Sequence, residues 1–567
     1  MKIALAQLNP VVGDIDGNSK KILHAIQSAK DDGAELIVFS ELIISGYPPR
    51  DLLLVNGFVE QCVDATEQIG LNHTQGITAV IGTPMLATTP DEASSTTGIT
   101  NSVIVYQNNK HIASHAKRLL PTYDVFDEDR YFQAGNEAVV VNIGGRMVGL
   151  AICEDLWRGD DSGFSNKYNN EPDHVGQLIT HGAEIIVTPS ASPFVVGKAD
   201  KHRGILRGHA SRYAVPVVSV NQIGANDDLI FAGQSCVISA DGNTLHESIA
   251  FEESISVVDL STTSTHAYQA LDDERAIIEA LTLGVRDYVT KCGFSSVCLG
   301  LSGGIDSALV AALGVRALGP ENVLGVSMPG QFSSEGSKTD AYELANNMGI
   351  ECITMPIETG FQGVCETLNH SFEKIDERKL GESLPDLTQE NLQSRIRGTM
   401  MMALSNRTGA LVLTTGNKSE IAVGYCTLYG DMNGGLAVIA DVPKTMVFRV
   451  CRYLNQHHHE FGFAVPPIPV NTIDKPPSAE LAPDQLDSDS LPDYQVLDEI
   501  VRLHIEANMS ADAIINATGF DPAEVARICK LIDRNEYKRQ QMAVGLKLTT
   551  TAFGQGRRMP IAQRWTR

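Results

Sequence analysis

The feature that most constrains the fold of this chain is a glycine-rich turn between two apolar segments. In VCLGLSGGIDSALVAAL, the turn Ser302–Ser307 (SGGIDS) separates a run typical of a buried strand from a run typical of a buried helix. Unpaired backbone N–H groups and the dipole at the start of such a helix favour an anion. The turn therefore predicts a phosphate site in a parallel α/β sheet.

The residue types within the turn suit a nucleotide. Gly303 and Gly304 leave room for the backbone to approach a phosphate. Ser302 and Ser307 offer hydroxyl groups, and Asp306 could hold Mg²⁺. A Walker A loop is excluded because the Lys-Ser/Thr ending is absent. The alternative is a glycine-rich turn that serves only tight packing.

The second half of the chain, from about Leu271, predicts a parallel-sheet nucleotide-binding domain. Helices are expected at Asp273–Thr290 and Ala308–Leu318, and the tail from Tyr494 is expected to be mostly helical. The Pro- and Asp-rich segment Lys475–Asp493 is expected to form a long surface loop, a candidate cover over a site. Strands are expected at Val297–Leu301, Val323–Ser327, Glu351–Thr354 and Ala410–Thr414.

The first half predicts a layered α/β domain with mixed sheets. Short β-branched runs bounded by Gly, Pro or Asp alternate with helical patterns such as Asn18–Asp31. The stretch Ser261–Thr265 interrupts this pattern and is the predicted linker, which gives domains at 1–262 and 271–567. Strands are expected at Lys2–Ala6, Leu36–Phe39, Thr78–Ile81, Ser102–Gln107, Met147–Ile152, Ile185–Thr188, Val217–Val220 and Ser235–Ser239.

Composition excludes several classes of protein. The chain has 567 residues, 43% of them hydrophobic, so sizeable cores can be buried. A formal net charge of −25 would repel nucleic-acid phosphates and anionic lipid. The sequence shows neither a membrane-spanning apolar run nor a signal-peptide pattern, and its ten scattered cysteines favour a reducing compartment. We expect a cytoplasmic protein that binds neither nucleic acid nor membrane.

Three chemically capable residues follow strand-like runs in the first half: Glu41, Lys117 and Cys153. Strand ends let a rigid sheet present side chains to a shared pocket. A nearby ammonium lowers the pKa of a thiol and stabilises the oxyanion that forms when the thiolate attacks a carbonyl. A carboxylate can then act as general base. Taken singly, each residue has an alternative reading as a buried thiol, a solvated strand end or a surface charge.

Together these three residues resemble the Glu-Lys-Cys triad of the nitrilase superfamily, over roughly Met1–Leu260. The segment GAEIIVTPSASPF is similar to the strand that follows the nucleophile in that family. The resemblance implies amide hydrolysis through a thioester, with release of ammonia. For glutamine as donor, it implies contacts from Tyr123, Ser192 and Lys198. Some relatives carry Arg where this chain has Lys198, so a single-point ion pair is expected there.

The phosphate turn in turn resembles the signature of the ATP pyrophosphatase superfamily, which cleaves ATP between its α and β phosphates to activate a carboxylate or a carbonyl. Over nearly its whole length, the chain resembles the glutamine-dependent NAD(+) synthetases. The motifs that carry this resemblance are ENLQSRIRG (Glu390–Gly398), TTGNKSEIAVGYCTLYGDMNGG (Thr414–Gly435), DVPKT (Asp441–Thr445) and NEYKRQQ (Asn535–Gln541).

This resemblance implies a fold and a set of site residues. The fold is α/β, with an N-terminal nitrilase-like αββα sandwich and a Rossmann-like parallel-sheet domain of the adenine-nucleotide α-hydrolase type. It assigns deamido-NAD contacts to Asn391, Glu420 and Lys538. Independently of the resemblance, the carboxylates of Asp306 and Glu420 are candidate Mg²⁺ ligands, and that of Glu420 could instead contact a ribose hydroxyl. The implied ATP-binding residues are Gly300, Leu301, Ser302, Gly303, Gly304, Ile305, Asp306, Ser307 and Thr415.

Physical arguments accompany some of these residues. Asn391 and Arg395, at positions i and i+4 of one helical face, offer an amide and a guanidinium to a phosphate-bearing dinucleotide. Lys444 and Lys538 supply point charges for phosphate. The alternative is that Arg395 and Lys538 lie on solvated helix faces.

The implied reaction joins the two halves. Glutamine supplies ammonia, while ATP with Mg²⁺ adenylates the nicotinate carboxylate of deamido-NAD, which ammonia then converts to NAD. A shielded route for ammonia is expected, within one chain or across subunits, because ammonia in bulk water would be mostly protonated. The family resemblance also implies a homo-oligomer.

Two alternatives stay open at this point. One is another ATP-pyrophosphatase amidotransferase. An asparagine synthetase needs an N-terminal Cys nucleophile, whereas Lys2 follows Met1 here, and guanylate synthetases use a Cys-His-Glu amidase. The other is a non-catalytic nucleotide-binding or scaffold protein, against which the intact Glu41, Lys117 and Cys153 argue.

Overall fold

A computed structural model of the chain describes residues 1–87, 98–157, 168, 171–262, 270–375 and 387–565. The chain divides into two compact units, Met1–Leu271 and Asp272–Arg567. Residues 263–265 of the predicted linker lie outside the described residues. In the described ranges, every helix is too short or too polar to cross a membrane.

Two six-stranded mixed sheets and one hairpin form the frame of the first unit. The first sheet contains β1 (Lys2–Gln7), β2 (Leu36–Phe39), β3 (Thr78–Leu86), β4 (Ile99–Gln107), β5 (Lys110–Ala116) and β14 (Ser254–Asp259). The second sheet contains β6 (Val140–Ile143), β7 (Arg146–Leu150), β8 (Ile185–Ser190), β9 (Val217–Asn221), β12 (Cys236–Ile238) and β13 (Thr244–Glu247). The hairpin pairs β10 (Ile223–Asn226) with β11 (Leu229–Ala232).

Each large sheet has three parallel strands with antiparallel strands added on both sides. In the first sheet, of order β14-β1-β2-β3-β4-β5, the parallel strands are β1, β2 and β3. In the second, of order β13-β12-β9-β8-β7-β6, they are β7, β8 and β9. The mixed sheets that the sequence predicts are therefore confirmed.

Side-chain alternation along the strands builds four layers. Ile3 and Leu5 of β1 lie in the cluster between the sheets, together with residues of the second sheet such as Leu150. Ala4 and Ala6 point to the opposite face, where helices pack. The helices are α1 (Ile15–Asp31) and α2 (Phe58–His73) on the first sheet, and α3 (His174–Thr180) and α4 (Lys198–Tyr213) on the second. This is the predicted αββα sandwich, and each aliphatic side chain buried in it contributes about 1.5–3 kcal/mol.

The second unit is built on a sheet in which every strand pair is parallel. Its strands are β15 (Val297–Gly300), β16 (Val323–Ser327), β17 (Glu351–Thr354), β18 (Leu411–Thr414), β19 (Leu436–Ala437) and β20 (Val544–Gly545). Their order is β17-β16-β15-β18-β19-β20. The strand order reverses between β15 and β18, and ligands of such sheets bind at the carboxyl ends of the strands at this point.

Helices connect and cover this parallel sheet. They are α5 (Asp273–Lys291), α6 (Ile305–Leu318), α7 (Glu335–Met348), α8 (Glu358–Phe372), α9 (Leu387–Thr408), α10 (Lys418–Val423), α11 (Lys444–Gln456), α12 (Val470–Asp474), α13 (Tyr494–Val501), α14 (Ala511–Thr518), α15 (Pro522–Arg534) and α16 (Glu536–Arg539). The turn Ser302–Ser307 links β15 to α6, and Thr415 follows β18. Both therefore lie at the point where the strand order reverses.

The predicted elements are confirmed with small changes in their ends. Helix α1 begins at Ile15 rather than Asn18, because the Asp14 carboxylate caps it and accepts the Gly17 N–H at 2.9 Å. Helix α6 begins at Ile305 rather than Ala308, so half of the predicted turn is the first helical turn. The sequence patterns did not indicate β5, β6, β10, β11, β13, β14, β19 and β20.

Candidate active sites

The first unit brings Glu41, Lys117 and Cys153 to one place. Glu41 follows β2, Lys117 follows β5 and Cys153 follows β7. The Lys117 Nζ lies 2.7 Å from the Glu41 Oε1, and the charges of both residues act on the Cys153 sulfur. Glu41 and Lys117 are buried, and Cys153 is partly exposed. The juxtaposition expected from the sequence is therefore present.

A second carboxylate completes the surroundings of Lys117. The Glu128 Oε1 lies 2.9 Å from the Lys117 Nζ and also accepts the Tyr47 hydroxyl at 2.8 Å. Burial alone would lower the pKa of Lys117, but the charges of Glu128 and Glu41 hold it well above its ordinary value. Burial, together with the Glu41 charge, raises the pKa of Glu128 to about 7 against the opposing effect of Lys117. Lys117 is therefore a permanent cation between two buried carboxyl groups.

Two donors fix the Glu41 carboxylate. The Asn101 side chain donates to Oε1 at 2.6 Å, and the Ala191 backbone N–H donates to Oε2 at 3.1 Å. The backbone carbonyl oxygen of Asn101 also accepts the Lys117 backbone N–H at 2.8 Å. These bonds fix the Glu41 carboxylate and the Lys117 backbone relative to each other.

The backbone at Cys153 is shaped to present the sulfur. Its φ of +41° lies in the left-handed region, which is unusual for a residue with a side chain, and a short 3₁₀ turn begins there (Cys153–Leu156). Burial and the Glu41 charge raise the pKa of the thiol, while the Lys117 charge and the Ala191 N–H act to lower it. A thiol in these surroundings rests protonated, so an adjacent base is needed to activate it.

The three residues expected to contact glutamine lie around this thiol. Tyr123 donates its hydroxyl to the Glu154 Oε1 at 2.9 Å. Lys198 begins α4, and its charge lowers the pKa of Glu154, which burial raises overall. Ser192 directly follows Ala191, and its backbone N–H donates to the Asn221 side chain at 2.8 Å. Glu154 is thus placed between two of the expected contacts and directly follows Cys153.

The phosphate turn of the second unit opens into a cavity of about 570 Å³. Eight of the nine expected ATP-binding residues line it: Gly300, Leu301, Ser302, Gly304, Ile305, Asp306, Ser307 and Thr415. Gly303 is the exception. Its φ is +75°, and a Cβ atom there would lie 2.4 Å from the Ser337 carbonyl oxygen at the start of α7. Glycine is therefore required for the turn to pack against α7.

A buried lysine stands between the two expected Mg²⁺ ligands. The Lys444 Nζ lies 2.6 Å from the Asp306 Oδ2 and 3.0 Å from the Glu420 Oε1. Asp306 also accepts the Asn417 side chain at 2.9 Å. Burial raises the pKa of Glu420 to about 7, although Lys444 opposes this. Because two carboxylate oxygens converge on one cation beside the phosphate turn, the donor set fits Mg²⁺.

The residues expected to contact deamido-NAD also belong to this cavity. Asn391, Glu420 and Lys538 all line it. The Lys538 Nζ donates to the carbonyl oxygens of Gly424 and Cys426, both at 2.8 Å, so this lysine also fixes the turn after α10. Asn391 accepts the Thr427 hydroxyl at 2.8 Å.

The position of the Arg395 side chain does not support its predicted contact with the dinucleotide, which stays a prediction. Its guanidinium is turned to the Leu428 carbonyl oxygen at 3.2 Å, and Arg395 is absent from the described cavity lining. Arg397 lines the cavity instead, with its Nε held by the Met328 carbonyl oxygen at 3.0 Å. The i and i+4 rule finds residues on one helical face, but it does not say which face meets the ligand.

The segment Lys475–Asp493 contributes one side of the cavity. Apart from a short 3₁₀ turn at Asp487–Asp489 it forms no helix or strand, as predicted, and its residues from Lys475 to Leu481 line the cavity. The Glu480 carboxylate accepts the Ser334 and Ser337 hydroxyls at 2.9 and 2.6 Å. The segment thus lines the same cavity as the phosphate turn and is tied to the start of α7.

Sequence reasoning missed several polar residues of these sites. Asn101, Glu128 and Glu154 in the first unit and Arg397 and Asn417 in the second were not predicted. Glu128 lies in the acidic run DVFDEDRYF, where nothing marks one carboxylate over its neighbours. A contact across the fold is needed to distinguish it.

Comparison with known proteins agrees with the division of the chain into two units. The carbon-nitrogen hydrolase family model matches residues 2–270, and the NAD synthase family model matches residues 277–542. The fold and sites thus define a protein that joins a carbon-nitrogen hydrolase to an NAD synthase.

Full-length relatives specify the family further. A glutamine-dependent NAD(+) synthetase of Synechocystis sp. is 45% identical over 99% of this chain and 98% of its own length. That of Thermotoga maritima is 40% identical over 100% and 99%. A solved structure of the Acinetobacter baumannii glutamine-dependent NAD+ synthetase in complex with ADP is 38% identical over 99% and 98%, with a TM-score of 0.75. The chain belongs to the glutamine-dependent NAD(+) synthetase family.

Proposed function

We propose that this chain is a ligase that uses glutamine and ATP to convert deamido-NAD to NAD, with glutamate, AMP and pyrophosphate as the other products. The 1–262 domain releases ammonia, and the 271–567 domain prepares the adenylated acceptor. The observation that carries the proposal is the presence in one chain of two sites. One is a Cys-Lys-Glu site on an αββα sandwich, and the other is a phosphate turn at the reversal point of a parallel sheet.

Glutamine hydrolysis begins at Cys153. Glu41 removes the thiol proton, and the sulfur attacks the side-chain amide carbon of glutamine while Lys117 stabilises the oxyanion. The C–N bond breaks, Glu41 returns the proton to the leaving nitrogen, and ammonia departs. Water activated by Glu41 then hydrolyses the thioester to glutamate. The fixed contacts of Glu41 with Asn101 and Ala191 keep this base oriented through both steps.

Recognition of glutamine uses the polar groups around the thiol. Lys198 pairs with the α-carboxylate through one point charge, and Tyr123 and Ser192 supply hydrogen bonds. The buried Glu154 carboxylate, held by Tyr123, is the group available to pair with the α-ammonium.

In the second unit the nicotinate carboxylate of deamido-NAD attacks the α-phosphate of ATP. A bond forms between the carboxylate oxygen and the α-phosphorus, the bond to the β-phosphate oxygen breaks, and pyrophosphate leaves. The backbone N–H groups at the start of α6 and the Ser302 and Ser307 hydroxyls stabilise the charge that grows on pyrophosphate. Ammonia then attacks the acyl carbon, and AMP leaves to give NAD.

Asp306 and Glu420 are the residues that would hold Mg²⁺ together with ATP, where the ion would neutralise phosphate charge. Asn391 and Lys538 would contact deamido-NAD, and Thr415 would contact ATP. Glu420→Gln should raise the Mg²⁺ concentration needed for half-maximal rate, because one of two carboxylates is lost.

A cytoplasmic homo-oligomer is the expected form of the enzyme. All ten cysteines lie in the described residues as thiols rather than disulfides, which suits a reducing compartment. The mass of the purified protein by light scattering tests the assembly, and a monomer at working concentration would contradict it.

The decisive test is a product assay on the purified chain. Incubation with ATP, Mg²⁺, glutamine and deamido-NAD should yield NAD, AMP and glutamate in equal amounts. ADP in place of AMP would overturn the pyrophosphatase assignment. Glutamine hydrolysis without any NAD would leave only the amidase half of the proposal.

A further inference from the structure

A buried group of three residues lies beside the Cys153 turn and takes no part in the chemistry above. His115, Asp155 and His174 present nitrogen and oxygen atoms that all lie within 4.8 Å of one another. The histidine rings stack at 5.0 Å between centroids, with planes inclined by 15°. The three side chains are almost fully buried.

The bonds of His174 exclude it as a metal ligand. Its Nε2 lies 2.9 Å from the Leu150 carbonyl oxygen and its Nδ1 lies 3.0 Å from the Arg118 Nη1. The carbonyl accepts and the guanidinium donates, so Nε2 carries the proton and the Nδ1 lone pair is already engaged. Burial lowers the pKa of His174 to about 4, which keeps the ring neutral. The group is therefore an internal bonding network.

Asp155 is the centre of that network. Its Oδ1 accepts the backbone N–H groups of Arg118 and Leu119 at 2.8 and 3.0 Å. Its Oδ2 accepts the Ile152 backbone N–H at 2.9 Å and lies 3.1 Å from the His115 Nε2. Each carboxylate oxygen thus faces two donors, as only an ionised carboxylate can.

The backbone donors to Asp155 adjoin Cys153 and Lys117 in the sequence. Ile152 directly precedes Cys153, whose backbone is held in the left-handed region. Arg118 and Leu119 directly follow Lys117. One buried carboxylate therefore ties the turn that carries the sulfur to the segment that carries the ammonium, although it touches neither group.

We propose that Asp155 is a positioning residue for glutamine hydrolysis, which sets the separation of the Cys153 sulfur and the Lys117 ammonium, and that His115 orients its carboxylate. This inference rests on the proposed function of the site. His115 lies two residues before Lys117 and stacks on His174, whereas Arg118 and Leu119 follow Lys117. The contacts of Asp155 therefore flank Lys117 on both sides in the sequence. A shift of about 1 Å between such groups can lower a rate by about 100-fold.

Asp155→Asn is the sharpest variant because it preserves shape and removes acceptors. An amide presents its NH₂ group to two donors in either orientation. If it faces Ile152 and His115, a change of the His115 tautomer can relieve one opposition, but the Ile152 N–H stays opposed. In the other orientation the NH₂ group opposes the Arg118 and Leu119 N–H groups. Either orientation therefore weakens one of the two links that Asp155 makes, while the side-chain volume is kept.

The test compares two activities of the full chain. Asp155→Asn should lower kcat for glutamine-supported NAD formation by about 100-fold, with KM for glutamine changed less than about 3-fold. The ammonium-supported rate should stay within about 2-fold of wild type, because it does not use the thiol. Alkylation of Cys153 by iodoacetamide, followed by peptide mass mapping, should show a pH midpoint moved upward, since Lys117 acts to lower the pKa of the thiol.

Asp14→Asn is the matched control, because Asp14 also binds a backbone N–H in the first unit but caps α1. It should leave both rates and the alkylation midpoint unchanged. Unchanged glutamine-supported kcat in Asp155→Asn would overturn the proposal, as would a loss that leaves the alkylation midpoint where it was. Failure of the wild-type chain to hydrolyse glutamine would overturn the proposed function instead.

His115→Phe keeps the proposal testable if Asp155→Asn does not fold. The phenyl ring can still stack on His174, but it offers no hydrogen bond to Asp155. Glutamine-supported kcat should fall by about 10-fold, and the alkylation midpoint should again move upward. Wild-type values for both would overturn the role of His115 and of the network.

Discussion

Each unit of the molecule places one lysine between two carboxylates at its site, and the two arrangements differ in what surrounds them. Lys117 lies 2.7 and 2.9 Å from Glu41 and Glu128, and Lys444 lies 2.6 and 3.0 Å from Asp306 and Glu420. In each group one carboxyl has its pKa raised to about 7, at Glu128 and Glu420. The charge pattern is the same although the folds are unrelated.

The surroundings decide how such a group is used. Lys117 and Glu41 are fully buried beside a thiol and are held by backbone and amide donors, so their partners are permanent. Asp306 and Glu420 line a large cavity next to a phosphate turn, where an incoming cation and phosphate can compete for them. The comparison teaches that the first lysine is part of a group of charges fixed by buried donors, whereas the second pairs with carboxylates that line a cavity, where their partners can be exchanged.

The largest expected effects come from removing the reacting groups. Cys153→Ala should lower glutamine-supported NAD formation by about 1,000-fold or more and leave the ammonium-supported rate, whereas Asp306→Ala should abolish both. The measurement is NAD produced with glutamine or with an ammonium salt as donor. Cys292→Ala, at an exposed cysteine, is the control and should change neither rate. Persistent glutamine use in Cys153→Ala would refute the assignment of the nucleophile.

Exchanging the two lysines for methionine tests the comparison itself. Lys117→Met should lower the glutamine-supported rate by about 100-fold or more and spare the ammonium-supported rate, because the oxyanion loses its cation. Lys444→Met should lower both rates. Lys117→Met leaves two buried carboxylates uncompensated, so its free energy of unfolding should fall by about 3–5 kcal/mol. The loss in Lys444→Met should be smaller, because Asp306 and Glu420 are partly exposed. Lys530→Met, at an exposed helix position, is the control. Equal behaviour of the two lysine variants would break the comparison.

Replacing the two arginines of helix α9, one at a time, should have a smaller effect on activity. Arg397→Met should raise KM for deamido-NAD by about 10-fold, because Arg397 lines the cavity on the same helix as Asn391. Arg395→Met is the matched control on that helix and should change KM by less than about 3-fold. Steady-state kinetics at saturating ATP and ammonium measure both. A larger effect at Arg395 than at Arg397 would support the predicted contact of Arg395 with the dinucleotide.

The smallest effect concerns stability and pH. The His504 Nε2 lies 3.6 Å from the Asp533 Oδ1, and although burial lowers the pKa of His504, Asp533 raises it overall to about 9. The folded pKa exceeds the ordinary value of 6.5, so the stabilisation is complete below pH 6.5 and is lost as pH rises toward 9. The melting temperature of the second unit should fall by a few degrees across this range. Lys117 and Lys444 stay charged throughout, so they should not contribute.

His504→Gln provides the control for that prediction. It removes the titrating group and should flatten the dependence of melting temperature on pH between 6.5 and 9. An unchanged slope in this variant would assign the dependence to other groups.

Local sequence patterns predicted most of the central strands of both folds and missed most of the outer ones, although the edge strand β17 was predicted and the inner strand β19 was not. Continuous apolar runs such as Val297–Gly300 and Val323–Ser327 mark buried parallel strands because both of their faces are covered. Strand β5 (KHIASHA) is largely polar, since it lies at the edge of its sheet with one side open. Nothing in its own sequence distinguishes it from a loop.

The site residues likewise divide into those that local sequence predicted and those that it did not. Glu41, Lys117, Cys153 and the Ser302–Ser307 turn were found because they follow strands or form a recognisable motif. Glu128 and Asn101 were not, because their roles arise from contacts with residues 11 and 60 positions away in the chain. Such partners become visible only when the fold brings distant segments together.

The close packing of Gly303 against the backbone of Ser337 has one further consequence. Since any larger residue at position 303 would displace the turn from α7, the spacing of its phosphate-facing N–H groups cannot be tuned by substitution there. The Lys475–Asp493 segment and helix α9 line the same cavity without this constraint, so its shape can vary there around a turn whose geometry stays constant.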